Sequence, residues 1–302
     1  MKWASIAVVL KNPYYLLYRI IRKIPFRWAD KPCVLFYYRA ELGRFPNLER
    51  PKLFTEKLQW LKLNSRNPLY TTLVDKVRVK DYIAKVLGDG YCFKTLGMWK
   101  RGIDIDFDAL PTKFVLKCNH YGGGCVFVCK NKSKIDITQL RRDVQRQLDS
   151  NMYLNTREWP YKNVERCVFA EEYMEDEFGE LRDYKFYCFN GEPKMVTVVT
   201  DRFGGHYFTN FDIAFNELNV VHRGSPKSPV QVVRPSNFDE MLNIARRLSE
   251  GLPFVRIDLY NIKGRIFFGE FTFFPSSGHD DQNSLDWDKK YGSMLVLPTE
   301  HE

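Results

Sequence analysis

No stretch of this chain approaches the roughly 18 consecutive apolar residues that a membrane-crossing helix needs, so a spanning segment is not expected. The N-terminus lacks the long apolar core and small-residue cleavage site of a secretory signal. Internal repeats and low-complexity tracts are absent, which argues against solenoids and disordered linkers. No dense Lys/Arg block and no recognised nucleic-acid module occurs, so nucleic acid is not an expected partner. There is no Cys-x-x-Cys. The seven cysteines (Cys33, Cys92, Cys118, Cys125, Cys129, Cys167 and Cys188) are odd in number and sit mostly in apolar runs. They read as reduced, buried thiols of a cytoplasmic protein. Cys125 and Cys129 make a poor zinc pair, because no partners stand at ligand spacing.

What is present is the composition of a globular protein. Of 302 residues, 44% are hydrophobic and 27% charged, and the 15% aromatic content lies largely in strand-like runs, so substantial β-structure is expected. The net charge of +9 fits either an anionic partner or a solvated basic surface. Residues 1–50 form a basic, aromatic lead-in. Tyr14 to Ile24 mixes Leu, Tyr and Ile with Arg19, Arg22 and Lys23. This segment reads as a helix docked on the protein surface or as an amphipathic element, within residues 1–30, lying on the inner face of a membrane.

From Phe54 the pattern is helical, and Asn67-Pro68 ends it. Leu69 to Leu87 reads as one further helix, with a basic face from Lys80 to Lys85 and with Lys76 as a lysine on its surface. Strands are expected over 91–99, 113–118, 125–129, 166–173, 183–190, 194–201, 254–260 and 265–273, with clear helices at 136–149 and 237–250. Hairpins interleaved with single helices make the fold class α+β.

Four constellations could carry chemistry. In the last two strands, Arg256 and Asp258 share a face, as do Glu270 and Thr272 on the next strand. The turn between them decides whether those faces coincide. A two-residue Lys263-Gly264 turn pairs Asp258 with Gly269 and sends Glu270 to the far side. A three-residue loop pairs Arg256 with Glu270 and sets Asp258 and Glu270 diagonally, roughly 7–8 Å apart. Two carboxylates so placed can share a hard cation; otherwise they belong to a solvated sheet face. Second, Lys117 ends a strand before Gly122, Gly123 and Gly124, a loop that could cradle phosphate oxygens or be a plain turn. Nearby His120 could serve as a ligand or base, but reads first as a hydrogen-bonded structural histidine. Third, Glu171, Glu172, Tyr173 and Met174 end a strand, and Asp183 and Lys185 follow on another; ordinary loop-flanking charge is the bland alternative. Fourth is Asp75-Lys76. The string Asp104-Ile105-Asp106 fits a sugar-transferase metal motif but falls in a loop-like stretch before Pro111.

The order of these elements resembles the ATP-grasp superfamily. The fuller text is similar to its TupA-like branch, named from teichuronopeptide synthesis and common in capsule and cell-surface polysaccharide loci. The resemblance rests on Phe54-Thr55-Glu56-Lys57-Leu58-Gln59-Trp60, Leu73-Val74-Asp75-Lys76, Phe114 to Gly124, Asp183 to Pro193, and Phe254 to Gly278. It implies an ATP-grasp fold, two α+β subdomains gripping ATP between antiparallel sheets, behind an N-terminal helical extension. The segments would be 1–50 (extension), 51–112 (helical/α+β part), 113–175 (lid subdomain) and 176–302 (catalytic, metal-binding subdomain). Lys117 and Lys76 would hold ATP phosphates under a Gly122–Gly124 lid. Glu171, Glu172, Tyr173 and Met174 would form the adenine hinge, with Asp183 a ribose or polar-face carboxylate. Lys185 would contact phosphate, and Arg256 would face the transferred phosphate or a substrate carboxylate. Asp258, Glu270 and Thr272 would bind Mg2+; many ATP-grasp enzymes carry Asn where Thr272 stands. The implied activity is ATP- and Mg-dependent ligation of a carboxylate, a sugar acid or polysaccharide precursor, to an amine. A glycosyltransferase-like or non-catalytic protein, or a small-molecule kinase using the same site, are the alternatives. Substrate loops are expected at Gly204–Phe211 and Ser276–Asn283, the second carrying His279, Asp280 and Asp281.

Overall fold

The computed structural model describes residues 12–121, 126–201, 204–220, 226–280 and 284–298. The chain forms two compact units that are not consecutive segments. One comprises 1–67, 151–159 and 274–302; the other comprises 68–150 and 160–273. In sequence, the segments of the first unit thus enclose and interrupt those of the second. The physical reason lies in the first unit, where the C-terminal helix returns to the helix over Phe54–Asn64. The buried Asp288 carboxylate accepts from the Thr55 N–H at 2.8 Å and the Thr55 hydroxyl at 2.8 Å.

The first unit is helical: α1 (Pro13–Ile21), α2 (Asp30–Leu42), α3 (Phe54–Asn64), a short α-turn at Met152–Thr156 and a last helix at Leu285–Met294. Glu56 caps the start of α3, accepting from the N–H groups of Asn47, Lys52 and Leu53. A buried charge cluster ties the unit together. Asp30 accepts from Tyr153 Oη (2.7 Å), Arg157 (3.4 Å) and Arg66 (3.2 Å).

The second unit holds two antiparallel sheets. Four strands, β1 (Thr95–Trp99), β2 (Phe114–Cys118), β3 (Val126–Cys129) and β4 (Val168–Glu172), assemble in the order β1-β4-β2-β3. The helix at Ile137–Leu148, capped by Asp136, packs Val144 and Leu148 onto Phe114, Leu116, Val168 and Ala170. Six strands, β5 (Asp183–Phe189), β6 (Glu192–Thr200), β7 (Tyr207–Asp212), β8 (Glu217–Leu218), β9 (Phe254–Ile262) and β10 (Arg265–Thr272), run in the order β10-β9-β5-β6-β7-β8. The helix at Phe238–Ser249 covers one face with Phe238, Met241, Ile244, Ala245 and Leu248. The other face carries the charged residues discussed below, because alternation along β5 and β9 sends apolar side chains one way and Lys185, Arg256 and Asp258 the other. Six described cysteines are free thiols, five of them buried.

Two sequence expectations change. The segment from Leu69 to Leu87 is not one helix but two, Leu69–Val74 and Val79–Leu87. The stretch Gly204–Phe211 is not a loop throughout, since Tyr207 onward is β7, paired with β6.

Candidate active site

The β9–β10 hairpin decides where its carboxylates go. Its turn has two residues, Lys263 (φ 50°) and Gly264 (φ 82°), both left-handed, and Ile262 pairs with Arg265. That turn alone would send Glu270 to the far face. A β-bulge corrects it: Phe268 pairs with Leu259, Gly269 is extra, and Glu270 pairs with Asp258. Of the two turns considered, the three-residue loop is thus absent, and the extra residue sits five positions beyond Gly264. Asp258 and Glu270 are direct cross-strand neighbours rather than diagonal ones, and Thr272 stands opposite Arg256. Gly269 is required at the bulge, because a Cβ there would lie 2.9 Å from the Asp258 carbonyl oxygen and 3.1 Å from the Tyr260 ring.

Cations surround the pair. On the other side of β9, Lys185 is opposite Asp258; its Nζ lies 2.5 Å from Asp258 Oδ2 and 3.4 Å from Asp183 Oδ2. Arg256 clamps Asp258 with two bonds, Nε to Oδ1 at 2.6 Å and Nη2 to Oδ2 at 2.7 Å. The same Nη2 reaches Glu270 at 3.5 Å and the Thr272 hydroxyl at 3.0 Å. Lys76 completes the ring with an ion pair to Glu270 Oε2.

Lys76 is not the solvated helix lysine that its spacing suggested. The buried Asp75 breaks the helix, its carboxylate accepting from the N–H groups of Val77 and Arg78 and from Asn119 Nδ2. Lys76 N–H then donates to the Asn119 carbonyl at 3.1 Å. Asn119, at the end of β2, in turn accepts from Cys167 N–H at 2.8 Å. The chain leaves the helical path at Lys76 and is held to β2.

A second charged group lies on the four-stranded sheet. Lys117 and Glu171 are diagonal neighbours on β2 and β4, with Nζ 2.6 Å from Oε2. The other Glu171 oxygen accepts from Lys80, which also donates to the Phe93 carbonyl (2.8 Å) and the Thr95 hydroxyl (2.8 Å). Lys80 was missed from sequence. It looked like part of a solvated basic face, and only the pairing of Thr95 with Glu171 marks it.

Burial would raise the Glu270 carboxyl, but Lys76, Arg256 and Lys185 outweigh it and hold it well below the ordinary carboxylate range. At Glu171 burial is likewise opposed and outweighed by Lys117 and Lys80. Both carboxylates are therefore ionised at neutral pH.

These groups line a cavity of about 240 Å³. Lys76, Lys80, Lys117, Lys185, Asp183, Asp258, Glu171 and Glu270 give its polar wall, and Phe93, Val115, Val128, Met174, Leu181 and Phe268 its apolar wall. Glu172, Tyr173 and Met174 line it beside Glu171; Met174 packs on the cluster of Phe93, Tyr260, Ile262 and Phe267. Arg256 and Thr272 are not in the lining; Arg256 braces Asp258 and Glu270, and Thr272 accepts from Arg256. Gly122, Gly123 and Gly124 lie outside the described residues. His120 is buried, and its Nε2 meets the Ser150 carbonyl at 3.1 Å, a structural role. Asp104 pairs with Arg101, and Asp106 caps the turn at Asp108 and Ala109, so both carboxylates of that motif are used locally. Of the second expected substrate loop, Asp281 to Asn283 lie outside the described residues. His279 is buried rather than solvated, and Ser276 and Ser277 adopt left-handed backbone (φ 47° and 56°).

The donor set suits magnesium. It offers carboxylate oxygens and no sulfur, and it already compensates three cationic side chains. Among the described residues no group of three or more His, Cys, Asp or Glu could hold a metal unaided. Phosphate or water oxygens would supply the remaining ligands, as is usual for magnesium at a nucleotide.

Lys117 on one antiparallel sheet, and Lys185 with the opposed carboxylates Asp258 and Glu270 on another, around one cleft with an apolar wall, are the arrangement of the ATP-grasp class of fold. The chain belongs to the TupA-like ATP-grasp family, whose sequence profile matches residues 56–296. A search of the curated proteins finds no match. Among solved structures, the D-alanine–D-alanine ligase of Bacillus anthracis is similar at 14% identity and TM-score 0.44, over 74% of this chain and 64% of that one. The Helicobacter pylori D-alanine–D-alanine ligase gives 14% and 0.43, over 80% and 69%. The ATP-grasp ligase PsnB, complexed with Mg, ADP and a variant of its minimal precursor, gives 12% and 0.36, over 72% and 56%. The chain thus spans less than two thirds of the first of these and little more than half of PsnB.

Proposed function

We propose that this protein is an ATP- and magnesium-dependent carboxylate–amine ligase that acts through an acyl phosphate, joining an amino acid or amine to a sugar acid in surface polysaccharide biosynthesis. The observation that carries the reading is the direct opposition of Asp258 and Glu270, ringed by Lys76 and Lys185, in the cleft that Lys117 also lines. Transfer of a γ-phosphoryl group to a carboxylate brings together negative charges, and the chain's part is positioning and electrostatic stabilisation rather than covalent catalysis. Lys76, Lys117 and Lys185 are disposed to take phosphate oxygens. Asp258 and Glu270 are disposed to hold magnesium, which when bound would neutralise phosphate charge and orient the phosphoryl group. The apolar wall around Met174 and Phe93 suits a base, with Glu171 to Met174 as the hinge and Asp183 toward the ribose. In the acid-activation step a substrate carboxylate oxygen bonds to the γ-phosphorus as the bond to ADP breaks. The amine then attacks the acyl carbon and phosphate leaves. The sugar-acid half of the proposal rests on the family, and the free, mostly buried thiols support a cytoplasmic setting.

The test is turnover of Mg-ATP with uronic acids in the presence of hydroxylamine. The expected result is ADP release matched by a sugar hydroxamate. A stable phosphorylated product with no amine requirement would make the protein a kinase. Thermal stabilisation by UDP-sugars but not by Mg-ATP would make it a glycosyltransferase.

A further inference from the structure

Helix α1 is built inside out for a soluble protein. Its tyrosines face inward: Tyr18 is buried, stacks on Tyr37 with ring centroids 4.4 Å apart, and donates its hydroxyl to the Asn155 carbonyl. Three of its four aliphatic residues face out, while Ile21 is half-buried. Leu16, Leu17 and Ile20 fall on one stripe at helical spacing, all exposed, Ile20 at 58%. The chain then continues through Phe26 and Trp28, exposed at 63% and 65%. Elsewhere among the described residues exposed large apolar side chains are scattered; here five fall between positions 16 and 28. The same stretch is one-signed in charge. Positions 12–29 contain Arg19, Arg22, Lys23 and Arg27 and no acidic residue. Lys23 and Arg27 are exposed. Asp30, the first acid, is buried and engaged by Arg66, Tyr153 and Arg157.

This surface is fixed in place. Arg157, 1% exposed, donates to the carbonyls of Ile21 (3.2 Å), Arg22 (2.8 Å) and Ile24 (2.8 Å). It satisfies the last carbonyls of α1 and complements the negative end of its dipole. Arg22 reaches the Asn155 side chain at 3.1 Å. Such anchoring presents the aliphatic stripe and the Phe26–Trp28 loop in a set orientation.

We propose that residues 13–28 are a docking surface for an anionic lipid bilayer. Leu16, Leu17, Ile20, Phe26 and Trp28 would enter the acyl boundary while Arg19, Lys23 and Arg27 meet acidic headgroups. The charge complementarity selects this occupant. An apolar patch meant for a second copy of the chain would have to bring two such basic, acid-free rims together, which like-charge repulsion opposes.

Co-sedimentation of the full chain with vesicles tests this. Vesicles of phosphatidylcholine with phosphatidylglycerol should bind at least about tenfold more protein than phosphatidylcholine alone, and high salt should release it. The double variant Phe26→Ser/Trp28→Ser and the double charge reversal Lys23→Glu/Arg27→Glu should each lower binding about tenfold or more, whereas Val230→Ser/Val233→Ser, exposed apolar residues elsewhere, should not. Unchanged Tm in all three keeps folding out of the result. Three outcomes would each overturn the proposal: equal binding to neutral vesicles, no binding to acidic ones, or a lipid-free dimer in analytical ultracentrifugation that Phe26→Ser/Trp28→Ser dissolves.

Discussion

Substituting Gly269 by Ala tests whether the bulge, rather than the hairpin turn, sets the carboxylate pair. The added methyl would stand 2.9 Å from the Asp258 carbonyl oxygen and 3.4 Å from its carbon, with the Tyr260 ring at 3.1 Å. Ordinary contact requires β10 to give by about half an ångström against β9. Tyr260 cannot simply move aside, because it is buried and stacked on Phe93, ring centroids 5.6 Å apart. Overpacking of this kind costs about 1–3 kcal/mol, a fall of a few degrees in Tm. The strain falls directly on the residue facing Glu270, and misplacement of a reacting group by about 1 Å can cost a hundredfold in rate. The expected result is therefore a tenfold or larger loss in kcat for ATP turnover alongside the modest drop in Tm. Gly264→Ala provides the contrast. Its Cβ meets nothing within 4 Å, but its φ of +82° is unfavourable for alanine, so it should lose stability while kcat holds. If Gly269→Ala loses stability and keeps full turnover, the bulge does not set the catalytic spacing and the reasoning fails.

Glu270→Gln keeps the shape but removes the charge that Lys76, Arg256 and Lys185 surround; turnover should fall at least about a hundredfold, and the thermal shift produced by Mg-ATP should shrink, with wild-type turnover refuting the assignment. His279 supplies a pH prediction. Burial first, then Lys62, pushes its pKa down to about 3, against about 6.5 unfolded. Unfolding therefore takes up a proton between these values, so His279's contribution is complete above pH 6.5 and is lost as pH falls toward 3. At pH 5 the loss is about 2 kcal/mol. Urea midpoints of wild type and His279→Gln at pH 7 and pH 5 should diverge accordingly, and parallel curves would contradict it. Asp30→Asn leaves the Arg157 guanidinium, itself 1% exposed, without its counter-charge, and should cost about 3–5 kcal/mol in chemical denaturation; a loss below about 1 kcal/mol would show that the carbonyls around Arg157 suffice.

Much of the fold was legible because its signals are local. Alternation along Asp183–Phe189 and Phe254–Ile262 marks strands that cover a core on one face, and Asp136 marks the start of a helix by its own hydrogen bond to Gln139. The failures share one cause, which is that a distant partner overrides the local pattern. The apolar stripe from Leu69 to Leu87 is continuous, yet Asp75 interrupts the helix because Asn119, 44 positions away, completes its hydrogen bonds. The Lys263-Gly264 turn was read correctly as one option, but the register at Glu270 depends on where Gly269 can fit against β9, which turn chemistry does not encode. Lys80 and Lys85 look alike in sequence; only the pairing of β1 with β4 gives Lys80 a carboxylate.

The two lysines on Glu171 should be separable by experiment because they use their protons differently. Lys80 has three acceptors in place, Glu171, Phe93 O and Thr95 Oγ1, which matches the three donors of an ammonium. It is built as an anchor that fixes Glu171. Lys117 meets Glu171 from the strand that leads into the Gly122–Gly124 segment, and it is the one disposed to exchange a carboxylate for phosphate. Lys117→Met should raise the KM for ATP tenfold or more at little cost in Tm, since Lys80 still neutralises Glu171. Lys80→Met should lower Tm, because it strips the Phe93 carbonyl and the Thr95 hydroxyl of a partner at about 1–3 kcal/mol, and should raise KM only through the loosened Glu171. In the double variant Glu171 has lost both cations, so the losses should exceed the sum of the singles by about 0.5–3 kcal/mol. Strict additivity would mean that Glu171 does not couple the two lysines, and Lys80 would then be a purely structural residue.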